Sequence, residues 1–365
     1  MFSEFAVNRV PSPPAAKPGG RGRAKSVEVA EIVRANLEPW LEEVLLHLYD
    51  SHYSTISRIK GTGKLSDAVQ AFLIRERGVV SSALIFRRQG RQVHVLNEVA
   101  HIPAAEILRF ASHVFTYWGG IDVIRFKAIR TDLQQSRYPM QKYDFSEDFV
   151  LPLARNPQDY FESLGPSTRK TIRGYTNKIK RDFPTFVHRV CEGEHIKPED
   201  IRGILALSRA RMTANGKHWG ISDAECDSMI ALARDYGQVV IFTIDGRICA
   251  GSISYRARDN FFMRVCAHDA LYDRYRLGTL SQYRAITACI EAGAKECHLL
   301  WGRQPYKYSL GALPVPLENV TLYRSRIQEA LNAPLVLKNL AASMYRRVKL
   351  MRAERKATEP VERAL

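Results

Sequence analysis

The chain has 365 residues, of which 45% are hydrophobic, and a formal net charge of +16. This length allows two domains, and the hydrophobic content fits soluble globular cores and excludes a wholly disordered chain. No stretch approaches the roughly 20 apolar residues of a membrane-spanning helix, and the N-terminus carries Pro and Gly where a signal peptide would be apolar. We therefore expect a cytoplasmic protein.

The cysteines and the charge limit the possible ligands. The six cysteines are scattered and form no C-x-x-C pair, so the sequence indicates neither a disulfide framework nor a metal site. The positive charge favours an anionic partner, such as a nucleotide cofactor, a nucleic acid, an acidic polysaccharide precursor or an anionic membrane face. Charge alone does not choose among them.

The first half of the chain predicts a small α+β domain. Residues 1–26, with interleaved Pro, Gly and basic residues, are expected to form a disordered basic tail. Apolar residues at mixed three- and four-residue spacing predict a helix over 27–48. Strands are then expected at 79–86 and 92–99, a helix at 103–118 and a strand at 121–129. Residues 131–158 are polar and turn-rich, which predicts a connector.

The middle of the chain carries basic and aromatic candidates. A helix is expected from Pro166, capped by Ser167, with six basic and no acidic residues between Arg169 and Arg181. Such a helix could form a cationic wall for an anionic cofactor or acceptor, or simply a solvated face. A loop with His218 and Trp219 could line an acceptor pocket or serve packing. The acceptor candidates are Arg169, Lys170, Arg173, His218 and Trp219.

The second half predicts the core of the functional unit. Asp245-Gly246 between two β-prone runs, 239–244 and 248–255, is a strong hairpin signal. A strand at 260–267, a loop at 268–279, a helix ending at Gly293 and a strand at 297–301 follow. Because the loop opens a helix, its unpaired amides form a candidate phosphate site. The residues of this site are Arg276, Leu277, Gly278, Thr279 and Leu280.

The order of hairpin, helix and strand occurs in both halves. This recurrence favours an internal duplication with the first half as scaffold, although a chance recurrence of the same order is the alternative. A strand at 317–323 and a basic helix at 327–350 complete the chain. The basic helix could contact an anionic membrane or nucleic acid, or remain a solvated terminal helix.

Several motifs of the second half together resemble a known family. They are Ser167-Thr168-Arg169-Lys170, Ala250-Gly251-Ser252-Ile253-Ser254-Tyr255, Ala267-His268-Asp269, Leu277-Gly278-Thr279-Leu280, Trp301-Gly302, Pro305-Tyr306-Lys307-Tyr308 and Gly311-Ala312. In this combination, residues 160–325 resemble the BioF2-like (CelD-type) acetyltransferase domain of the GNAT superfamily. The two-part layout resembles Fem-type aminoacyl transferases.

The resemblance implies a fold and a domain division. It implies a mixed α/β (α+β) protein with two tandem GNAT-like domains, the first degenerate. The expected divisions are a tail at 1–26, a scaffold domain at 27–155, a catalytic domain at 156–330 and a basic C-terminal helix at 331–365.

The resemblance also implies a mechanism in which an amine attacks the thioester of acyl-CoA directly. Acetyl-CoA is the expected co-substrate, bound through its pyrophosphate by Arg276 to Leu280, with the main chain at Val265 and Ala267 meeting the acyl carbonyl. Tyr306 would protonate the departing thiolate, Lys307 would meet a phosphate or the acceptor, and Asp269 or His268 would be the base. Tyr275 and Leu280 depart from the superfamily's loop pattern, which puts the donor's identity in doubt.

Three functions remain open from the sequence. The first is an N-acyltransferase acting on a small-molecule amine, such as an amino sugar or a precursor in surface-polysaccharide assembly. The second is a Fem-like transferase that takes an aminoacyl group from charged tRNA. The third is a noncatalytic binding protein that keeps the fold and docks through its basic tails.

Overall fold

The computed structural model describes residues 28–34, 39–66 and 68–362; the tail expected at 1–26 lies outside these residues. The strands are β1 (Glu28–Arg34), β2 (Val69–Glu76), β3 (Val79–Gln89), β4 (Gln92–Val95), β5 (Val123–Ile129), β6 (Met140–Pro152), β7 (Val187–Glu192), β8 (Gly237–Ile244), β9 (Arg247–Ala257), β10 (Asn260–His268), β11 (Glu296–His298) and β12 (Leu313–Tyr323). The α-helices are α1 (Trp40–Tyr49), α2 (Ile56–Gly61), α3 (Ala104–Tyr117), α4 (Pro157–Ser163), α5 (Pro166–Asp182), α6 (Pro198–Ala214), α7 (Asp223–Tyr236), α8 (Leu277–Glu291), α9 (Pro305–Ser309), α10 (Arg326–Leu331) and α11 (Ala333–Glu362).

These elements form two compact units. The second unit consists of Asp50–Lys64 and Glu147–Val315, and the rest of the described chain forms the first unit. Each unit combines a β-sheet with helices, which confirms the predicted mixed α+β class. The second unit starts before the expected boundary at 155/156 and includes 50–64, whereas residues 316–330 belong to the first unit.

The first unit contains the strand order β1-β2-β3-β4-β5-β12. Neighbouring strands are antiparallel except for β4 and β5, which are parallel. The connection between parallel strands requires a crossover, and α3 supplies it with Ile107, Phe110 and Val114 buried. The predicted order of hairpin, helix and strand is therefore present in this unit.

The second unit contains the strand order β6-β11-β10-β9-β8-β7. The turn between β8 and β9 has φ of 50° at Asp245 and 75° at Gly246, which is the left-handed geometry that the Asp-Gly step predicts. Helix α8 connects β10 to the parallel strand β11 and ends before Gly293, whose φ is 73°. Both features agree with the sequence.

Three local predictions were wrong. Residues 28–34 form strand β1, paired with β2, and not the start of a helix; the segment is too short for its apolar spacing to distinguish the two. The expected connector contains the strand β6, whose residues 150–152 pair with β11. Ser167 does not cap α5, because the helix begins at Pro166 after Gly165, in the first-turn position that proline favours.

Two hydrophobic clusters cover the opposite faces of the second unit's sheet. One cluster contains buried residues of α5 and α8, such as Ile172 and Leu280, and Cys266 packs against it. The other lies under α6 and α7 and contains Val265 and Ala267. Strand alternation thus places Cys266 on one face of β10 and its neighbours on the other. Across residues 28–34, 39–66 and 68–362, no helix has the length and apolarity needed to cross a membrane.

Candidate active site

The second unit's sheet opens between two neighbouring strands. Strand β10 pairs with β9 from Asn260 to His268, with an irregularity between Met263 and Val265. Its pairing with β11 covers only three residues and ends at Phe262. Beyond Phe262 the two strands no longer pair, while the chain after β11 bonds instead to Phe149. This edge of β10, which includes Val265 and Ala267, therefore offers main-chain groups to a bound molecule.

A helix begins beside the carboxyl end of β10. Arg276 adopts left-handed angles, with φ of 53°, and α8 starts at the next residue. The amides of Thr279 and Leu280 donate to the Arg276 carbonyl, whereas those of Leu277 and Gly278 belong to the first turn, where no earlier helical carbonyl is available. These amides lie at the positive end of the helix dipole. The start of α8 therefore has the geometry of a helix N-terminus that can bind phosphate groups, and a phosphate site at Arg276 to Leu280 stays a prediction.

Gly278 lies against the ring of His268. A methyl group at Gly278 would be 2.9 Å from the Nδ1 atom of His268 and 3.2 Å from its Cε1 atom. The Nε2 atom of His268 is 2.8 Å from Asp273 Oδ1, and Nδ1 is buried with no hydrogen-bond partner in the part of the chain that the structure describes. The ring is thus fixed between the start of α8 and the loop that precedes it.

Other loop residues serve the local fold. Asp269 accepts a hydrogen bond from the amide of Leu271 at 3.0 Å and so caps the 3-10 helix that leads to α8. Tyr275 is fully buried, and its hydroxyl donates to Asp182 at 3.0 Å. Leu277 and Leu280 are buried in the same cluster as Tyr275. The departures from the superfamily pattern at positions 275 and 280 are therefore core residues.

A cleft of about 460 Å³ opens beside the unpaired edge of β10. Its lining combines the C-terminal end of α6, the second half of β10, the first part of α8 and the chain from Leu299 to Lys307. It contains four basic residues and, among the lining side chains, no Asp, Glu or His. The basic residues are Arg211, Lys217, Arg264 and Lys307. Of the four predicted catalytic residues, Tyr306 and Lys307 line the cleft, whereas His268 and Asp269 do not.

Groups from three other elements influence the protonation of Tyr306. Burial, followed by the nearby Cys266 thiol, raises the pKa of Tyr306, while a hydrogen bond with Gln282 and the charge of Arg211 act in the opposite direction. The phenol therefore keeps its proton at neutral pH. Burial also raises the pKa of Cys266 to about 11, so this thiol is protonated and unsuited to nucleophilic attack.

Lys307 is buried at the carboxyl side of β11. Its Nζ atom donates to the carbonyls of Leu300 and Trp301, each at 2.8 Å. Burial lowers the pKa of Lys307 to about 8, although nearby Asp148 acts in the opposite direction. A fraction of the side chain is therefore neutral near physiological pH, and both hydrogen bonds persist in that form, because a neutral amine still has two N–H groups.

A buried ion pair lies next to Lys307. Nδ1 of His298 is 2.6 Å from Asp148 Oδ2, and Nε2 is 3.5 Å from Glu296. Burial opposes the protonated ring, but the bonds to Asp148 and Glu296 outweigh it and raise the pKa of His298 to about 9. His298 also stacks on Phe262 with a centroid distance of 4.2 Å, at the last paired residue of β10. The stacked rings of His298 and Phe262 therefore lie at the point where β10 and β11 separate.

The predicted acceptor residues lie apart from the cleft lining. In α5, Arg169 bonds to the carbonyl of Glu162, Arg173 covers the Phe161 ring and Lys170 is exposed. His218 is exposed, and Trp219 packs against the cluster under α6 and α7. Arg169, Lys170 and Arg173 belong to the N-terminal half of α5, while Lys178 in the second half lies 5.1 Å from the Tyr275 ring, beside the loop before α8.

Sequence reasoning missed several residues of the cleft. Arg211 and Asn215 come from the end of α6, only a few residues before the loop that contains His218. Gln282 carries a polar side chain on a largely buried helix face, which was the available signal for it. Within the described residues, no group of three or more His, Cys, Asp or Glu side chains could hold a metal ion.

Comparisons with known proteins agree with this geometry. Residues 166–308 match the family model described as "Acetyltransferase (GNAT) domain". No curated protein matches the sequence. Among solved structures, FemX is similar with a TM-score of 0.57, 9% identity and coverage of 77% of this chain and 95% of its own. A conserved protein of unknown function from Bacteroides thetaiotaomicron has a TM-score of 0.54, 12% identity and coverage of 79% and 97%. At these identities the likeness concerns the fold alone.

Proposed function

Because residues 166–308 match the acetyltransferase (GNAT) domain model, we propose that this transferase moves an acyl group from acyl-CoA to an amine that attacks the thioester directly. The observation that carries the proposal is the separation of β10 from β11 beside the start of α8. The open edge of β10 can bond an acyl carbonyl, and the first amides of α8 can bond a diphosphate. Acyl-CoA supplies both groups and an activated carbonyl.

Tyr306 is suited to act as the acid. The Cys266 thiol acts on Tyr306 from the same strand as Val265 and Ala267, whose main chain is expected to meet the acyl carbonyl. The raised pKa of Tyr306 means that it holds a proton to give to a departing thiolate. Gln282 and Arg211 orient the phenol and add positive charge beside the group that becomes negative. The neutral Cys266 thiol supports direct transfer without an acyl-enzyme.

Lys307 is suited to receive the proton of the attacking amine. The cleft lining offers no carboxylate or imidazole, and Lys307 is the lining residue whose pKa is lowered, to about 8. Replacing Lys307 by Arg keeps donors for the carbonyls of Leu300 and Trp301 but removes the neutral form, because Arg stays charged. We expect a pH-rate profile that rises toward pH 8 in the native enzyme and is flat and low in Lys307→Arg. A rise of the rate toward pH 8 that persists in Lys307→Arg would exclude this role for Lys307.

The charge of the cleft favours an acceptor that carries an anionic group in addition to its amine. Arg211 and Lys217 are exposed there, whereas Arg264 already pairs with Glu225 at 3.2 Å. The resemblance to BioF2-like domains adds an amino sugar or a surface-polysaccharide precursor as the candidate class. His268 and Asp269 then support the loop that holds the diphosphate.

The test is ligand-dependent stabilisation of the native protein. A ligand at 100 times its Kd stabilises a folded protein by about 2.7 kcal/mol. We expect a clear rise in Tm with acetyl-CoA or a longer acyl-CoA, and a smaller rise or none in a variant with a bulky residue at Gly278. No rise with any acyl-CoA would count heavily against the proposal.

A Fem-like reaction with aminoacyl-tRNA is the second candidate. The buried Tyr275 and Leu280 replace the loop ends of the usual acetyl-CoA pattern, and the net charge of +16 suits a nucleic acid. Strongly salt-dependent tRNA binding, together with the absence of acyl-CoA stabilisation, would favour this reading. Turnover of acyl-CoA by RNA-free protein would remove it.

A further inference from the structure

Between Ala333 and Arg352, helix α11 packs against the rest of the first unit through one face. Asn339 is 2% exposed and donates to Gln141 at 2.9 Å and to Thr321 at 3.2 Å. The carbonyl of Val336 accepts a hydrogen bond from Gln141 at 3.2 Å. These contacts fix the rotation of the helix about its axis and define its inner face.

The opposite face of α11 is apolar and exposed. Leu337 precedes Asn339 by two residues, so the two side chains point in nearly opposite directions at roughly 100° per residue. The apolar residues that follow Leu337 at offsets of 3, 7, 11 and 14 fall on the same stripe. This outer face consists of Leu337 (64% exposed), Leu340 (50%), Met344 (68%), Val348 (40%) and Met351 (52%).

Basic residues border this outer face. Between Ala330 and Arg352 the sequence has five Lys and Arg residues and no Asp or Glu. Arg347 and Lys349 flank Val348 on its two sides, and Lys338 and Arg352 each follow an apolar residue of the stripe. A long basic side chain can extend along the edge of an apolar surface and place its charge beyond it. The outer face is therefore apolar along its centre and cationic along its edges.

We propose that the outer face of α11 binds the surface of an anionic lipid bilayer. The apolar stripe would enter the boundary between headgroups and acyl chains, with α11 parallel to the surface, and the bordering cations would meet lipid phosphates. A second copy of the chain is a poorer occupant. An interface between two such faces would bring two sets of cations together without a carboxylate from residues 330–352 to pair them. This inference is independent of the acyl donor and acceptor.

The experiment is co-sedimentation of the full chain with vesicles. We expect binding to phosphatidylcholine vesicles that contain phosphatidylglycerol, weak binding to pure phosphatidylcholine, and a decrease with added salt. Leu340→Gln with Met344→Gln should weaken binding at least tenfold, because both side chains lose their apolar transfer into the bilayer. Val79→Gln is the matched control, since Val79 is 71% exposed on β3 and should leave binding unchanged.

Two outcomes would overturn the proposal. One is the absence of binding to the anionic vesicles, or equal binding by the double variant. The other is a dimer in analytical ultracentrifugation that the double variant converts to monomer, which would assign the face to a second copy. Because both substituted residues are exposed, an unchanged circular dichroism spectrum is expected and separates loss of binding from loss of folding.

Discussion

The contact between Gly278 and His268 gives a quantitative test of the proposed diphosphate site. In Gly278→Ala the new methyl group would lie 2.9 Å from His268 Nδ1, whereas an unstrained contact needs about 3.5 Å. The ring must therefore move by about 0.6 Å or more. Such a shift stretches the 2.8 Å bond to Asp273 past the usual limit of about 3.2 Å and disturbs the loop before α8.

The expected cost is about 1 kcal/mol, since Asp273 is largely exposed and its hydrogen bond is partly replaced by water. This corresponds to roughly fivefold weaker acetyl-CoA binding, measured by isothermal titration calorimetry. The free energy of unfolding should change less than the free energy of binding. Alanine has a higher helix propensity than glycine, by up to about 1 kcal/mol, which offsets the cost in folding but not in binding. The matched control is Gly174→Ala in α5, where the methyl group would meet open space.

A double-mutant cycle identifies the cause. If the steric contact is responsible, Gly278→Ala should cost less than about 0.5 kcal/mol of binding in a His268→Ala background, because the ring is gone. An equal loss in both backgrounds would show that the methyl group meets the ligand directly. Unchanged binding in the native background would refute the reasoning about the loop altogether.

Four further outcomes follow from the cleft and the buried pair. Tyr306→Phe should lower kcat by a factor on the order of 100 with little change in donor affinity, as loss of a general acid does; an unchanged kcat in steady-state assays would exclude that role. Cys266→Ala should retain most of the turnover, since the thiol is neutral, and accumulation of an acylated native enzyme in mass spectrometry would contradict this. In Asp148→Asn the pKa of His298, followed by NMR, should fall from its raised value, because Glu296 alone then opposes the effect of burial. The free energy of unfolding of the native protein should decline as pH rises from about 6.5 to 8, because His298 keeps a proton in the folded state that it loses in the unfolded state. Lys307, whose pKa is lowered in the folded state, increases the free energy of unfolding only above about pH 8. A flat stability curve in chemical denaturation would contradict the His298 assignment.

Local chemistry made part of the fold predictable. The Asp245-Gly246 turn and the end of α8 before Gly293 each depend on a few adjacent residues. Strand β6 was missed because its sequence is mixed and its register comes from β11, far along the chain. Strand β1 was missed because pairing with β2, and not its own spacing, decides its conformation.

The residues of the candidate site likewise fall into two groups, those that the local sequence predicts and those that it does not. A helix after β10 was predictable, because a glycine-containing segment before apolar spacing is a local pattern, although α8 begins at Leu277, inside the loop expected at 268–279. The pair of Asp148 and His298 joins residues 150 positions apart, and the neighbours of Tyr306 come from α6, β10 and α8. The spacing of residues within one segment of the sequence does not predict such long-range groupings. The sequence therefore singled out Tyr306 and the start of α8, whose roles stay predictions, while the groups that shift the pKa values of Tyr306 and Lys307 became visible only in three dimensions.

The short segment Asp50–Lys64 bears on how this protein can be divided. The ring of His52 stacks on Tyr255 at 4.5 Å, and Tyr53 contacts Trp301, which lines the cleft. The chain passes between the units after Tyr49, Lys64, Ser146 and Val315. During synthesis, the segment must wait until residues beyond 300 have left the ribosome before its aromatic side chains find their partners. A gene fragment for residues 147–315 alone would omit these aromatic partners of Tyr255 and Trp301, so neither unit can be gained or lost in evolution as one uninterrupted piece.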